Sequence, residues 1–264
     1  MPRFSVVIPC FNQGEYVNEA IASVLNQSCD DYEIIVVDDG STDQATVTVL
    51  DRLDHSGVKL VRTSNQGLAA ARNNGITAAC AEFILPLDAD DRIGPAYLER
   101  AGAILGSHPE VGFVYCLAEL FDGARGKFYL NNASLEDMLW DSRVFCSALF
   151  RKSDWAAVGG YNSNMVYGWE DWDFWLSLLE LGKTPYMIEE VMFFYRVKHN
   201  SMIRSMTLDN KIAMHQQLYN NHRRLYGKID DIDFEKYHRR RGTVRYKLIE
   251  HIKKLMFNAR YWNK

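Results

Sequence analysis

An α/β domain built on a mostly parallel sheet, with helices on both faces, is the fold this chain predicts. Three observations predict it. β-rich apolar runs alternate with helically spaced segments from Phe4 to Leu87. No internal repeat or low-complexity linker separates the halves, so one shared core is expected. Polar loops follow the second, third and fourth strands: Asp38-Asp39-Gly40, Asn65-Gln66-Gly67 and Asp88-Ala89-Asp90. Ligands of such sheets bind at the carboxyl ends of the strands, so the three loops are expected to converge on one edge.

The elements follow in order. FSVVI, from Phe4, reads as a buried strand, and Tyr16, Ala20, Ile21, Val24 and Leu25 stand at helical spacing after it. YEIIVV, from Tyr32, is the second strand; Ser41, Thr42 and Asp43 can cap the helix that holds Val47 and Leu50. VKLV, from Val58, is the third strand, and an alanine-rich helix interrupted by Gly75 spans Gly67 to Ala79. EFILPL, from Glu82, is the fourth. Beyond Ile93 the alternation weakens. A helix is expected over Ala96 to Leu105, a strand over Val111 to Leu120, an acidic-ended helix within Gly168 to Gly182, and a strand over Val191 to Val197. From about Leu208 the pattern is helical to the end.

Composition bounds the function. The chain has 264 residues, 47% hydrophobic and 24% charged, ordinary for a soluble globular protein of one large domain. The opening MPRFSVVIPCF has strand character and does not resemble a signal peptide. No apolar run approaches the roughly 18 residues of a membrane span. Five cysteines without a CxxC pair fit the reduced thiols of a cytoplasmic protein. The formal net charge is −4, yet ten Lys/Arg face a single acid, Glu250, between Lys236 and Lys264. This basic, amphipathic tail suits an anionic membrane surface or docking on the catalytic domain. An acidic body without a nucleic-acid motif argues against nucleic acid.

LPLDADD, from Leu85 to Asp91, crowds three carboxylates together. They cannot all be buried and ionised without a cation, and a hard divalent ion, Mn²⁺ or Mg²⁺, suits them. Alternation along the strand end would put Asp88 and Asp90 on one side. The plainer alternative is a polar loop capping the next helix, with Asp91 as N-cap.

PCFNQGEYVNEAIASVLNQS, EIIVVDDGSTD, NQGLAAARNNGI, LPLDADD, GWEDWDFW and YRVKHNSM stand here in the order and spacing of family 2 glycosyltransferases. On these motifs the chain resembles that family from about Phe4 to Met202. The resemblance implies a GT-A fold, Rossmann-like, with a nucleotide-sugar half over 1–93 and an acceptor half over 94–205 of the same domain. A helical C-terminal extension over 206–264 would follow. It implies inverting transfer of one sugar from a nucleoside-diphosphate sugar, UDP-sugar favoured, to a glycan or lipid-linked glycan of a bacterial surface polysaccharide. Processive relatives carry QxxRW and membrane helices, and neither occurs in this sequence. Peripheral attachment to the cytoplasmic face would suit a lipid-linked acceptor.

The family's positions carry over residue by residue. Pro9, Phe11 and Glu15 match the base pocket, Asp39 the acceptor of the base imide proton, and Asp38 a loop-holding carboxylate. Gly67 would allow close backbone approach, and Arg72 would meet the base or diphosphate, compatibly with a salt bridge to a nearby aspartate. Asp88 and Ala89 join the donor set, while Asp90 and His199 match metal or diphosphate contacts. Asp171 matches the general base; Glu170 and Trp169 would position the acceptor. The rival readings are a nucleotidyltransferase and a non-catalytic nucleotide-sugar-binding protein. The first lacks a glycine-rich phosphate loop near the N-terminus. Turnover separates the second.

Overall fold

The computed structural model describes residues 1–53, 57–128, 135–142, 144–198, 201, 205–227 and 233–241. Strands β1 (Phe4–Cys10), β2 (Tyr32–Asp39), β3 (Lys59–Thr63) and β4 (Phe83–Pro86) lie side by side in the order β3-β2-β1-β4, all parallel. They alternate with α1 (Gly14–Leu25), α2 (Gln44–Leu53) and α3 (Leu68–Ala78). Every residue of β1 is buried: Phe4, Val6, Ile8 and Cys10 enter one core, Val7 the other. That two-sided burial is why FSVVI reads as a continuous apolar run rather than an alternating one.

The sheet continues through β5 (Arg92–Ile93), β6 (Val111–Asp122), β7 (Gly126–Phe128), β8 (Leu149–Arg151) and β9 (Thr184–Val197). β8 joins the halves, antiparallel to β4 on one side and to β6 on the other. β6 and β9 pair in parallel with register shifts near Cys116 and Leu117, and β5 closes the order against β9. Most paired residues therefore lie in parallel ladders. Helix α4 (Tyr97–Ser107) packs with α1 and α2 over one face. The other face is covered by α3, α5 (Leu135–Trp140), α7 (Glu170–Glu180) and α8 (Leu208–Asn221). Between them come α6 (Lys152–Val158), then α9 (Arg223–Tyr226) and α10 (Phe234–Arg241) close the described chain. Residues 242–264, which hold most of the basic tail, lie outside the described residues, as does His199. Among the described residues no helix is long and apolar enough to cross a membrane.

Two expectations change. Asp91 does not cap a helix: α4 begins only at Tyr97, and Asp91 Oδ1 instead accepts the backbone N–H of Arg196 at 2.8 Å. Asp88 and Asp90 are not strand residues either. β4 ends at Pro86, and a turn closed by Asp91 N–H on the Asp88 carbonyl (3.0 Å) carries them. The expected cap of α2 is made by Asp43, whose carboxylate takes the N–H and hydroxyl of Thr46 at 2.9 and 2.8 Å.

Gly75, the break in the alanine-rich helix, is explained by packing. A Cβ there would stand 2.3 Å from Val7 Cγ1 and 2.9 Å from Val37 Cγ2, both buried strand side chains under α3. Glycine thus lets α3 lie close on β1 and β2. In an isolated helix Gly→Ala gains about 1 kcal/mol, but overpacking a core of β-branched residues costs about 1–3 kcal/mol. Gly75→Ala is therefore expected to destabilise the protein by about 1–2 kcal/mol, read as a lower urea midpoint at unchanged slope. An unchanged or higher midpoint would show that α3 does not need this approach.

Candidate active site

The strand-end loops enclose a cleft of about 450 Å³. Of the residues singled out from the sequence, Pro9, Phe11, Asp39, Gly67, Arg72, Asp88, Asp90, Trp169, Glu170 and Asp171 line it. Glu15 stands exposed on the first turn of α1, outside the lining, and Ala89 is wholly buried behind it.

The rim is a set of mutually braced loops. Asn12, left-handed at φ 53°, accepts the backbone N–H groups of Thr42 and Asp43 at 2.8 and 2.9 Å, tying the β1 loop to the β2 loop. Asp38 Oδ1 accepts Ser41 N–H at 2.9 Å and so holds its own turn. Asp39 braces the next loop, taking Gln66 N–H, Gly67 N–H and the Thr63 hydroxyl at 3.0, 2.9 and 3.1 Å. A carboxylate has about four acceptor positions, so one is left for a donor inside the cleft. Gly67 is favoured by its backbone conformation as well. Its φ of 88° is costly for other residues, while a Cβ there would meet no protein atom within 4 Å.

Arg72 crosses the floor. It is 1% exposed; Nη2 lies 2.7 Å from Asp88 Oδ1, and Nη1 pairs with Glu170 Oε1. Of its two readings, pairing with a nearby carboxylate describes these contacts. On the far side of the acidic turn, Arg196 is bound to it in two ways and to its surroundings in two more. Its N–H meets Asp91, its Nε meets the Asp90 carbonyl at 2.8 Å, and its other nitrogens pair with Asp122 and Glu19. Lys198 Nζ lies 2.6 Å from Asp90 Oδ2. Asp88 and Asp90 thus each meet a cationic side chain, while Asp91 accepts a backbone N–H. Burial first, then Asp88, raises Asp90; burial, then Asp90 and Asp88, raises Asp91.

Asp88 and Asp90 fit a hard divalent ion that keeps waters and draws its remaining oxygens from a substrate, because each has a second carboxylate oxygen beyond its paired one. They do not form a closed protein site. Among the described residues no group of three or more His, Cys, Asp or Glu could hold a metal.

A second cleft of about 550 Å³ adjoins the first, and Phe145, Trp169 and Asp171 line both. Its outer wall comes from the C-terminal helices: Lys211 on α8, and His238 and Arg241 on α10. Arg241 is held by Asp141 at 3.0 and 3.2 Å. Burial lowers His238 to about 4, so its imidazole is neutral at pH 7. Trp169 precedes α7 in the left-handed region, φ 65°, and its ring stacks on that imidazole with centroids 6.2 Å apart. Trp172 and Trp175 are core residues, and Asp173 turns away to buried His222 at 3.1 Å.

Asp171 stands at the junction. Burial and the charge of Glu170 push its carboxyl up to about 7, against the opposing pull of Arg72. A carboxylate there is a competent proton acceptor near neutral pH. The thiols of Cys10 and Cys146 also line the first cleft, but burial raises both, so neither is an active nucleophile.

Sequence reasoning missed Asn12, Lys198, Phe145 and the second cleft's cations. Lys198 neighbours His199 inside a quoted motif, so the motif marked its place. Phe145, Lys211 and Arg241 carry no local signal.

The family model described as glycosyl transferase family 2 matches residues 5–168. EpsE of Bacillus subtilis (strain 168), a glycosyltransferase by name, is 29% identical over 226 residues, covering 81% of each chain. Among solved structures, S. aureus TarS 1-349 in complex with UDP-GlcNAc superposes with a TM-score of 0.68 at 19% identity, over 84% of this chain and 66% of that one. The mannosyltransferase PcManGT from Pyrobaculum calidifontis, in complex with GDP-Man and Mn²⁺, gives 0.60 at 17% identity, over 100% and 88%. These likenesses carry the fold, the GT-A arrangement of a curled sheet flanked by helices.

If Glu170 and burial set Asp171, then Glu170→Gln, which keeps an oxygen for Arg72 but removes a charge, lowers it. Carboxyl ¹³C NMR of Asp171 should titrate near 7 in the native protein and closer to the ordinary aspartate range in the variant. A midpoint that stays or rises would contradict this coupling.

Proposed function

Since the chain belongs to glycosyl transferase family 2 and is a glycosyltransferase, we propose that its first cleft takes a nucleoside-diphosphate sugar, its second the acceptor, and that Asp171 is the base of an inverting transfer. The observation that carries this reading is the position of Asp171 on both clefts, with its carboxyl held at about 7. An acceptor hydroxyl in the second cleft gives its proton to Asp171 as its oxygen attacks the anomeric carbon. The bond from that carbon to the diphosphate breaks on the opposite face, and the configuration inverts. The closed ion pair of Arg72 with Glu170 fixes the base against the donor floor.

Asp39, with one acceptor position left, suits the imide N–H of a uracil; UDP-sugar is the donor we favour, with dTDP-sugar second. Phe11, 44% exposed at the rim, offers a ring to the base. A divalent ion, Mn²⁺ or Mg²⁺, held by Asp88 and Asp90, would supply Lewis acidity toward the departing diphosphate. Phe145 and Trp169 offer apolar faces where the sugars meet. The acceptor class we favour is a glycan or lipid-linked glycan of surface polysaccharide assembly, with membrane attachment through the basic 242–264 segment. A merely nucleotide-sugar-binding protein would have no use for a carboxylate poised to take a proton.

The test is release of nucleoside diphosphate from UDP-, dTDP- and GDP-sugars with a panel of glycan acceptors. One donor is expected to turn over. Asp171→Asn is expected to lower kcat by about 10²–10⁴-fold with little change in donor KM. The sign of the pH dependence follows from the base having to be ionised. With its carboxyl at about 7 in the free enzyme, kcat/KM should fall about tenfold per pH unit well below that midpoint. Full activity of Asp171→Asn, or a profile flat down to pH 5, would remove Asp171 as the base.

A further inference from the structure

Lys198 follows β9 directly and is held against the acidic turn. Two residues earlier Arg196 is fixed to the same turn by its backbone N–H on Asp91 and its Nε on the Asp90 carbonyl, both at 2.8 Å. Residues two apart in an extended chain share a side, so the ammonium of Lys198 is delivered to Asp90. It lies 2.6 Å from Asp90 Oδ2 and 4.7 Å from the ring centroid of Tyr16, only 17% exposed, in the lining of the donor cleft.

An ammonium on Asp90 and a divalent ion on Asp90 compete. Two cations a few ångströms apart repel strongly where the effective dielectric constant is about 20. A divalent ion on the second oxygen of this carboxylate is therefore opposed by the ammonium and binds strongly only as Nζ withdraws. Lysine suits such a role: a compact charge on a flexible four-carbon stem, unlike the fixed forks of Arg72 and Arg196. The anion that would attract the displaced ammonium is a diphosphate entering the same cleft.

We propose that Lys198 is the resident cation of the donor cleft, seated on Asp90 until a divalent ion and a nucleoside diphosphate enter together, and then transferred to the diphosphate. This rests on the nucleotide-sugar reading of the cleft, because it needs the diphosphate as the second seat. The consequence is coupling: a divalent ion alone binds weakly, the nucleotide strengthens it, and by linkage the ion strengthens the nucleotide equally.

Mn²⁺ alone is the first probe, with free Mn²⁺ followed by electron paramagnetic resonance in equilibrium titrations of the full chain. The titrations are repeated with saturating UDP, dTDP or GDP. In the native protein the bound nucleotide should tighten Mn²⁺ by about tenfold or more. Lys198→Met and Lys198→Gln both remove the charge. Either should tighten Mn²⁺ without nucleotide by about tenfold and shrink the nucleotide's effect by a similar factor. Lys198→Arg keeps the charge and should stay near the native affinity without nucleotide. Thermal unfolding identifies which variants are folded, and either neutral one suffices. A folded neutral variant whose Mn²⁺ affinity without nucleotide stays within about twofold of native overturns the proposal. If none of the three nucleotides binds, the nucleotide-sugar reading and the second seat both fail. The nucleotide-free comparison still decides whether Lys198 guards Asp90.

Discussion

One buried guanidinium holds the site together. Arg72, 1% exposed on α3, joins Asp88, in the turn after β4, to Glu170 at the start of α7. Taking such a charge out of water costs several kcal/mol, and two carboxylates at once are what offset it. The separation of Asp88 and the Glu170–Asp171 pair is thereby fixed by one side chain that lines the same floor. The same contact shapes the chemistry. Glu170 is the immediate neighbour of Asp171, and its charge helps raise Asp171 while Arg72 pulls the other way. Geometry and proton affinity thus hang on one ion-pair triad. Gly75, one turn along α3, lets the same helix lie close on β1 and β2.

The acidic turn obeys the same rule. Three carboxylates in four residues look, in sequence, like a demand for metal. In the fold Asp88 and Asp90 are met first by the side chains of Arg72 on α3 and Lys198 just after β9, and Asp91 by the backbone N–H of Arg196 on β9. The electrostatic argument from sequence was sound in requiring positive charge and incomplete in its list of sources. The two cations differ in kind: Arg72 is a rigid fork held on two carboxylates, whereas Lys198 is a compact charge on a flexible stem.

What was legible in the sequence was whatever has a local signature. β1, β2 and α1 are periodic or continuously apolar, and the loops that follow the parallel strands advertise the cleft. β8 was not legible: Leu149 to Arg151 is three residues long with no alternation to read, yet it pairs the two halves of the sheet. Asp39 shows a second limit. Its type and place were readable, but its engagement by two loop amides and a hydroxyl is a property of the folded loop. The second cleft was illegible altogether, since its wall draws Phe145, Lys211 and Arg241 from segments far apart in the chain. The basic character of the C-terminal region left both a membrane surface and docking on the domain open; Arg241 turns inward to Asp141.

The two clefts are therefore built on different principles. The first is made of loops at the ends of parallel strands, braced to one another by Asn12, Asp38 and Asp39, and its shape follows from the sheet. The second is closed by α8 and α10, which are added after the sheet is complete and held by side-chain contacts such as Tyr237 on the Trp140 carbonyl at 2.5 Å. Substitutions or insertions in those helices can change the second cleft without disturbing a strand. At the boundary stands Trp169, kept in a left-handed conformation that a bulky residue rarely adopts. That conformation lays its ring against His238 of the last described helix and leaves Asp171 two residues on, at the mouth shared by both clefts. Backbone strain at one residue thus joins the wall built by the C-terminal helices to the floor built by the sheet.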